Sequence, residues 1–282
     1  MEAFLEYLKV LLLGILEGVT EWLPISSTGH LLLLDEVLRL HESDGFKEVF
    51  FVVIQLGAVL AVFFHFGKKM LPLTRTEKKF RPCPDTAALW IKVILACIPG
   101  AICTLFLDDA LENFLNHTLI NGSLPLMPLV IALALILYGV IFVLTERKSK
   151  TPRITQTKDL RYTDALLIGL FQTLSIVPGT SRSGSTIIGA MCLGISRPVA
   201  TEFTFFLAVP VMLGYSLFKL FKVGLVFSPI QLRLLLAGSL TAFLTSLVVI
   251  RALTSYVKKH SFIPFGVYRI LLGALILLQY LA

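Results

Sequence analysis

The sequence predicts an all-α polytopic membrane protein made of two inverted-topology repeats, each a re-entrant helical hairpin followed by three transmembrane helices. Three observations carry this expectation. Of 282 residues, 56% are hydrophobic and 15% charged, and the mean hydropathy is +0.85, whereas a soluble domain carries about 25% charged residues. Six apolar runs reach the roughly 20 residues that a bilayer crossing needs. Two further apolar regions are each interrupted by a polar, hydroxyl-rich stretch, Glu17 to His30 and Pro178 to Thr186.

The first repeat is expected over 1–144. Its hairpin, 3–34, is broken by Pro24 and Gly29, and its spans are 46–66, 87–107 and 124–144. A basic cytoplasmic linker, 145–161, follows. The second repeat, 162–282, opens with a hairpin at 165–195 broken by Pro178, Gly179 and Gly184, and continues with spans 198–222, 229–255 and 262–281. A broken segment survives at membrane depth only where its freed backbone groups are buried in protein or line a wet cavity, so both interrupted regions read as re-entrant.

Loop charges orient the spans, because Lys and Arg collect on the cytoplasmic side. Residues 67–85 carry Lys68, Lys69, Arg75, Lys78, Lys79 and Arg81, and residues 145–164 carry Arg147, Lys148, Lys150, Arg153, Lys158 and Arg161. Both loops belong inside. The stretch 108–123 has Asp108, Asp109 and Glu112 without Lys or Arg, and 35–48 has five acids against Arg39 and Lys47, so these belong outside. Lys258 and Lys259 put the last loop inside. The first hairpin then enters and leaves from outside, and the second from the cytoplasm, with Lys219 and Lys222 as a local exception. A shift of 155 residues superposes Gly14 on Gly169, Ser26 on Ser181 and Gly29 on Gly184, and a shift of 154 pairs Glu48 with Glu202. Inverted repeats place their discontinuous segments together near the midplane, where they form the site.

The net charge of +7 sits in two loops and not along one stripe, which argues against nucleic acid as a partner. Cys83, Cys97, Cys103 and Cys192 show no spacing suited to zinc or to a disulfide framework. Glu2 and Glu6 precede Lys9, a pattern that does not predict a cleaved leader.

The polar stretches carry the chemistry, since ionisable groups at membrane depth mark functional sites. Glu17 and Glu21 stand four apart and share one helical face, a proton-sharing pair or a hard-cation site for Mg²⁺ or Ca²⁺. Ser26, Ser27, Thr28 and His30 follow the break at Pro24. Ser27 or Thr28 as an N-cap explains one hydroxyl, while a nucleophile beside a base uses the whole grouping. In the second stretch Gly179 and Gly184 allow close backbone approach, and Ser181, Ser183, Ser185 and Thr186 offer donors. Arg182 supplies a planar fork suited to phosphate oxygens, and a helix starting near Ser183 adds N–H groups that favour anions. Gln55, Gln172, Arg197 and Glu202 read as partners that support the site residues, as interhelical hydrogen-bonding groups, or as interface residues. Trp22, Trp90 and the tyrosines read as interface anchors or core.

At these residues the chain resembles the bacterial undecaprenyl-diphosphate phosphatase family, also called the bacitracin resistance protein family. The family's (E/Q)xxxE signature matches Glu17 to Glu21, its SSTGH matches Ser26 to His30, and its PGxSRSxxT matches Pro178 to Thr186 at every fixed position. The runs Val53 to Gly57, Thr201 to Phe203 and Ser261 to Phe265 extend the likeness over the whole chain, with Thr201 where the family has Ser.

The resemblance implies hydrolysis of undecaprenyl diphosphate to undecaprenyl phosphate and inorganic phosphate, recycling the carrier lipid of peptidoglycan synthesis and conferring bacitracin resistance. It implies a multi-pass protein of the bacterial cytoplasmic (inner) membrane with its site open to the outer face. On this expectation Ser26, Thr28, Ser181, Arg182, Ser183 and Thr186 bind the diphosphate, and Glu17 and Glu21 hold a divalent cation or manage protons. Ser27 attacks phosphorus with His30 assisting, His30 as nucleophile being equally open. The partners are a polyprenyl diphosphate and membrane lipids, with a homodimer an open assembly. A polyprenyl-phosphate transporter or flippase is the alternative, because inverted repeats with broken helices also build transporters.

Overall fold

The computed structural model describes residues 2–38, 40–71, 73–76, 79–120, 124–148, 151–223 and 227–281. Arg39, Lys78 and Lys150, which entered the charge count, lie outside these residues. So do the side chains of Asp35, Glu36, Asp44, Arg75, Lys79, Arg81, Asp109 and Glu112.

The chain folds into helices α1 (Glu2–Thr20), α2 (Ser27–Leu38), α3 (Asp44–Met70), α4 (Pro84–His117), α5 (Leu126–Arg147), α6 (Tyr162–Thr173), α7 (Arg182–Cys192), α8 (Arg197–Val223), α9 (Pro229–Tyr256) and α10 (Ile263–Leu281). Two small antiparallel hairpins, Leu73–Thr76 with Lys79–Pro82 and Leu119–Ile120 with Leu124–Pro125, close the loops on either side of α4. Six of the helices, α3, α4, α5, α8, α9 and α10, are long and apolar enough to cross a membrane. These coincide with the six runs expected from the sequence. The protein is therefore a multi-pass membrane protein whose candidate spans are all helices.

Local signals explain where the helices begin. Ser43 caps α3 by accepting from the Phe46 amide, and Lys68 and Lys69 occupy its last turn, where cations oppose the helix dipole. Pro84 and Pro229 sit in the first turns of α4 and α9, where no amide hydrogen is needed. Ser228 and Gln231 complete a capping box on α9.

Outer faces are apolar. On α9, Leu236, Leu240, Leu244 and Val248 recur every fourth residue and are all more than half exposed, a stripe suited to lipid. Between helices, small residues permit close packing. A Cβ on Gly14 of α1 would stand 2.5 Å from the carbonyl oxygen of Gly238 on α9, and one on Gly169 of α6 would strike the Ala96 carbonyl on α4. Helix α5 packs along α10, and α3 packs against both α8 and α9.

The segment 151–161 is more than a tether. The Arg153 amide donates to the Gly194 carbonyl at 2.8 Å and the Ser196 amide to the Ile154 carbonyl at 2.9 Å. The Arg153 guanidinium pairs with Asp164. Nearby, Glu146 takes Arg197 and the Phe262 amide together, joining the ends of α5, α8 and α10. Arg197 is thus an interhelical strut. Glu202 accepts from Lys69 at 2.8 Å and from the Thr157 hydroxyl at 3.1 Å.

Candidate active site

The two interruptions share one backbone design. Residues 21–25 form a turn after α1, and Ser26 then adopts φ 76° before α2 begins at Ser27. Gly179, at φ 89°, and Ser181, at φ 73°, make the corresponding reversal before α7. Ser26 and Ser181 are the two residues other than glycine with positive φ among those described. Each caps its own helix. Ser26 Oγ accepts from the Gly29 amide at 3.4 Å, and Ser181 Oγ from the Gly184 amide at 3.1 Å. The next amide, His30 or Ser185, donates to the carbonyl of the same serine, at 3.4 Å and 2.9 Å. The caps are therefore Ser26, and not Ser27 or Thr28, and Ser181, with α7 starting at Arg182, beside the expected Ser183. The shift of the first cap has a physical cause: the positive φ lets the first serine of each group turn its side chain back over the helix start, leaving Ser27 and Arg182 free to point elsewhere.

They point at Glu21. Arg182 Nη2 donates to Glu21 Oε1 at 2.7 Å, and Ser27 Oγ donates to Glu21 Oε2 at 2.6 Å. One carboxylate is thus held between a guanidinium from one hairpin and a hydroxyl from the other. Arg182 is further steadied by the Thr204 carbonyl at 3.4 Å and Met212 Sδ at 3.5 Å, both on α8. Ser183 Oγ lies 3.2 Å from the Glu21 carbonyl and 3.4 Å from that of Leu23, tying α7 to the first break.

His30 lies one turn along α2, its two ring nitrogens engaged elsewhere. Nδ1 is 2.7 Å from the Ser26 carbonyl, which can only accept, so Nδ1 carries a proton, and Nε2 shares a hydrogen bond of 2.6 Å with the Tyr268 hydroxyl. The sequence reading paired Ser27 with His30. The structure pairs it with Glu21, because Ser27 opens the helix and faces back toward α1 while His30, three residues on, faces α10.

Glu17 is fully buried, and neither of its carboxylate oxygens has a hydrogen-bond partner. It is close enough to Glu21 and Arg182 to feel both charges. An orphaned buried carboxylate fits a hard cation, which takes carboxylate oxygens readily. Among the described residues no group of three or more His, Cys, Asp or Glu side chains is arranged to hold a metal, so further ligands would have to come from water and a bound phosphate.

Of the remaining expected residues, Thr28 is exposed, whereas Thr186 is fully buried. Its hydroxyl meets Thr204 Oγ1 at 2.9 Å and the carbonyls of Arg182 and Ser183, which places it in the α7–α8 contact behind the Arg182 backbone. Trp22 is core: wholly buried, it packs edge-on against Phe205 at 5.2 Å.

Arg269 on α10, absent from the sequence reading, links the two breaks. Completely buried, it donates to the Pro24 carbonyl at 3.1 Å and to those of Gly179 and Thr180 at 2.9 Å each. Its guanidinium also lies over the Tyr138 ring at 5.5 Å. The signal was present, since an Arg within the apolar run 262–281 meets the same criterion that singled out Arg182.

This arrangement can be set beside known proteins. The family described as bacitracin resistance protein BacA matches residues 10–275. The chain belongs to this family. A relative from Enterococcus faecalis, named undecaprenyl-diphosphatase, is 53% identical over 98% of this chain and 97% of its own. Relatives from Lachnoclostridium phytofermentans and Clostridium acetobutylicum, named undecaprenyl-diphosphatase and undecaprenyl-diphosphatase 1, are 50% and 46% identical over 97% and 98% of this chain. They cover 96% and 98% of their own lengths. The matched range thus includes both interrupted segments that meet at Glu21.

Proposed function

We propose that this protein is an undecaprenyl-diphosphate phosphatase, releasing inorganic phosphate and the lipid monophosphate within the membrane. The observation that carries the reading is the Glu21 carboxylate held at 2.7 Å by Arg182 and at 2.6 Å by Ser27. A nucleophile already hydrogen-bonded to a base beside a phosphate-binding fork is the minimal equipment for phosphoryl transfer. The relatives' printed name supplies the substrate.

Ser27 Oγ attacks the terminal phosphorus and passes its proton to Glu21. The bond from that phosphorus to the bridging oxygen breaks, and the lipid monophosphate departs. Glu21 hands that proton to the departing lipid phosphate, then takes one from the water that attacks the phosphoserine and returns it to Ser27 Oγ as the serine–phosphorus bond breaks and inorganic phosphate leaves. Arg182 moves from Glu21 to the phosphoryl oxygens and neutralises charge in the transition state, with Ser26, Thr28, Ser181 and Ser183 flanking the diphosphate. Thr186 supports Arg182 from behind, and Arg269 is a positioning residue holding both breaks. Glu17 with Glu21 would hold a divalent cation, Mg²⁺ or Ca²⁺, which when bound neutralises phosphate charge.

His30 as nucleophile is the second reading, supported by its place one turn after Ser27 on α2. Trapping the phosphoenzyme separates the two: an alkali-labile, acid-stable adduct that vanishes in Ser27→Ala supports Ser27, and one that persists in that variant refutes it.

The same reading includes an inverted duplication with repeats 1–144 and 162–282 about the linker 145–161. Its support is the matched pair of capped, positive-φ serines 155 residues apart and the packing of α1 on α9 against that of α6 on α4. These pairs exchange under a shift by five helices. The family resemblance implies the bacterial inner membrane with the site open to the outer face, and the loop charges supply the orientation of the spans. Phosphate release from detergent-solubilised protein given a polyprenyl diphosphate tests the whole reading. No release would leave the transporter alternative standing and refute the enzyme.

A further inference from the structure

We propose that a crevice at the basic end of the bundle, separate from the hairpin site, binds the headgroup of an anionic phospholipid, with an acyl chain lying along Phe63 and Phe64. The crevice is open on one side and offers about 880 Å³ between the last turns of α3, the first turn of α8 and the last turns of α9. Three candidate membrane spans end there, which sets it at the depth where phosphates of lipid headgroups lie.

Its lining has two characters. His65, Lys68, Lys69, Arg251 and Lys258 bring positive or protonatable nitrogen. Glu202 is the one acid among the lining residues, and both of its oxygens are engaged, by Lys69 at 2.8 Å and the Thr157 hydroxyl at 3.1 Å. Among the described residues no ion pair holds Lys68, Arg251 or Lys258. The crevice therefore carries unmatched positive charge facing a cavity of headgroup size. The other character is aromatic. Phe63 and Phe64 are exposed on the membrane-ward side, Phe64 to 74%, with its inner edge against Phe243 at 5.1 Å. His65 packs edge-to-face on Phe66 at 4.5 Å, and the Phe66 ring in turn packs on Phe205 and Phe206, walling the crevice from Trp22 and the hairpins.

A soluble anion would use the charges and ignore the exposed rings. A zwitterionic lipid would use the rings and gain little from the charges. An anionic phospholipid uses both, and basic pockets between spans on the cytoplasmic side suit such headgroups. The proposal does not depend on the phosphatase reading.

The test is lipid retention by the purified full-length protein in detergent, read by native mass spectrometry with phosphatidylglycerol against phosphatidylcholine of the same chains. Wild type retains phosphatidylglycerol preferentially. The variant Lys68→Gln/Arg251→Gln/Lys258→Gln loses that preference by roughly 100-fold, about fivefold for each basic group removed near a membrane surface. Its phosphate release from a short polyprenyl diphosphate stays at the wild-type level. Should the triple variant fail to fold, Lys68→Glu on an exposed side chain still lowers the preference measurably. Equal retention of the two lipids by wild type, or unchanged preference in the variants, overturns the proposal. Displacement of phosphatidylglycerol by inorganic phosphate alone at low millimolar concentration also overturns it, because the ligand would then be the free anion.

Discussion

Replacing Arg269 with Met keeps the length and apolar stem of the side chain while deleting the group that joins the two breaks. Three hydrogen bonds to carbonyls are lost, at 3.1, 2.9 and 2.9 Å, in a fully buried setting. Hydrogen bonds from charged donors contribute about 1.5–3 kcal/mol each, and a carbonyl left buried without a partner costs about 1–3 kcal/mol. The variant also escapes the cost of keeping an ion out of water, which offsets several kcal/mol. The balance is a destabilisation of roughly 3 kcal/mol, equivalent to about 6–12 °C in Tm for a chain of this size. The larger effect falls on the reaction. Pro24, Gly179 and Thr180 lie within two residues of the positive-φ serines that aim Ser27 and Arg182, so kcat drops by roughly 100-fold, as misplacement of reacting groups by about 1 Å does. KM changes less, because the groups proposed to touch the diphosphate are all still present. Arg269→Lys keeps the charge but not the fork that spans both breaks, and recovers part of the stability and little of the rate. Thermal unfolding in detergent and phosphate-release kinetics measure both quantities. If Arg269→Met unfolds within 1 °C of wild type and retains its kcat, the claim that this residue holds the hairpins together is wrong.

Other outcomes follow from the same geometry. Arg182→Lys retains a positive charge but cannot fork onto two phosphoryl oxygens, and kcat/KM for phosphate release falls by about 10²-fold or more; full activity would rule out bidentate clamping. Glu21→Gln leaves Ser27 without its base and Arg182 without its partner, so the rate falls by about 10²–10⁴-fold, with a loss of stability approaching the 3–5 kcal/mol typical of breaking a buried pair. An unchanged initial rate in that variant would eliminate Glu21 as proton acceptor. Chelation with EDTA abolishes phosphate release, Mg²⁺ or Ca²⁺ restores it, and Glu17→Gln weakens the restoration; activity that survives chelation would argue against the cation. Gly14→Ala forces a methyl against the Gly238 carbonyl and lowers stability by about 1–3 kcal/mol, to be read as a lower Tm in detergent.

Much of this molecule was legible along the chain. The six crossings were, since a run of apolar residues is a local property and a bilayer imposes one length on all of them. Both interruptions were as well, because Pro24, Pro178 and their hydroxyl-rich neighbours violate that local rule at a known cost. The pairing of Ser26 with Ser181 at a shift of 155 is matched by two serines with the same φ and the same cap. Arg269 meets the criterion that singles out Arg182, an Arg within apolar sequence, but it lies outside both hydroxyl-rich stretches, so nothing along the chain ties it to them. Thr186 shares a helical face with Arg182 four residues earlier, yet its short hydroxyl is used up against Thr204 and the carbonyls of its own helix, while the longer Arg182 reaches past to Glu21.

By itself, then, the sequence determined the class, the number of crossings and the two places where the chain departs from helix, all consequences of how each short segment partitions between water, lipid and its own hydrogen bonds. Which polar group answers which was decided by tertiary structure alone. Arg182 lies 161 residues from Glu21, and Arg269 lies 245 residues from Pro24. Hydrogen bonding acts over about 3 Å, so such partners are chosen only once distant helices have packed, and Ser27 meets Glu21 instead of His30 because the packed turn, and not the order of residues, sets which atoms come within reach.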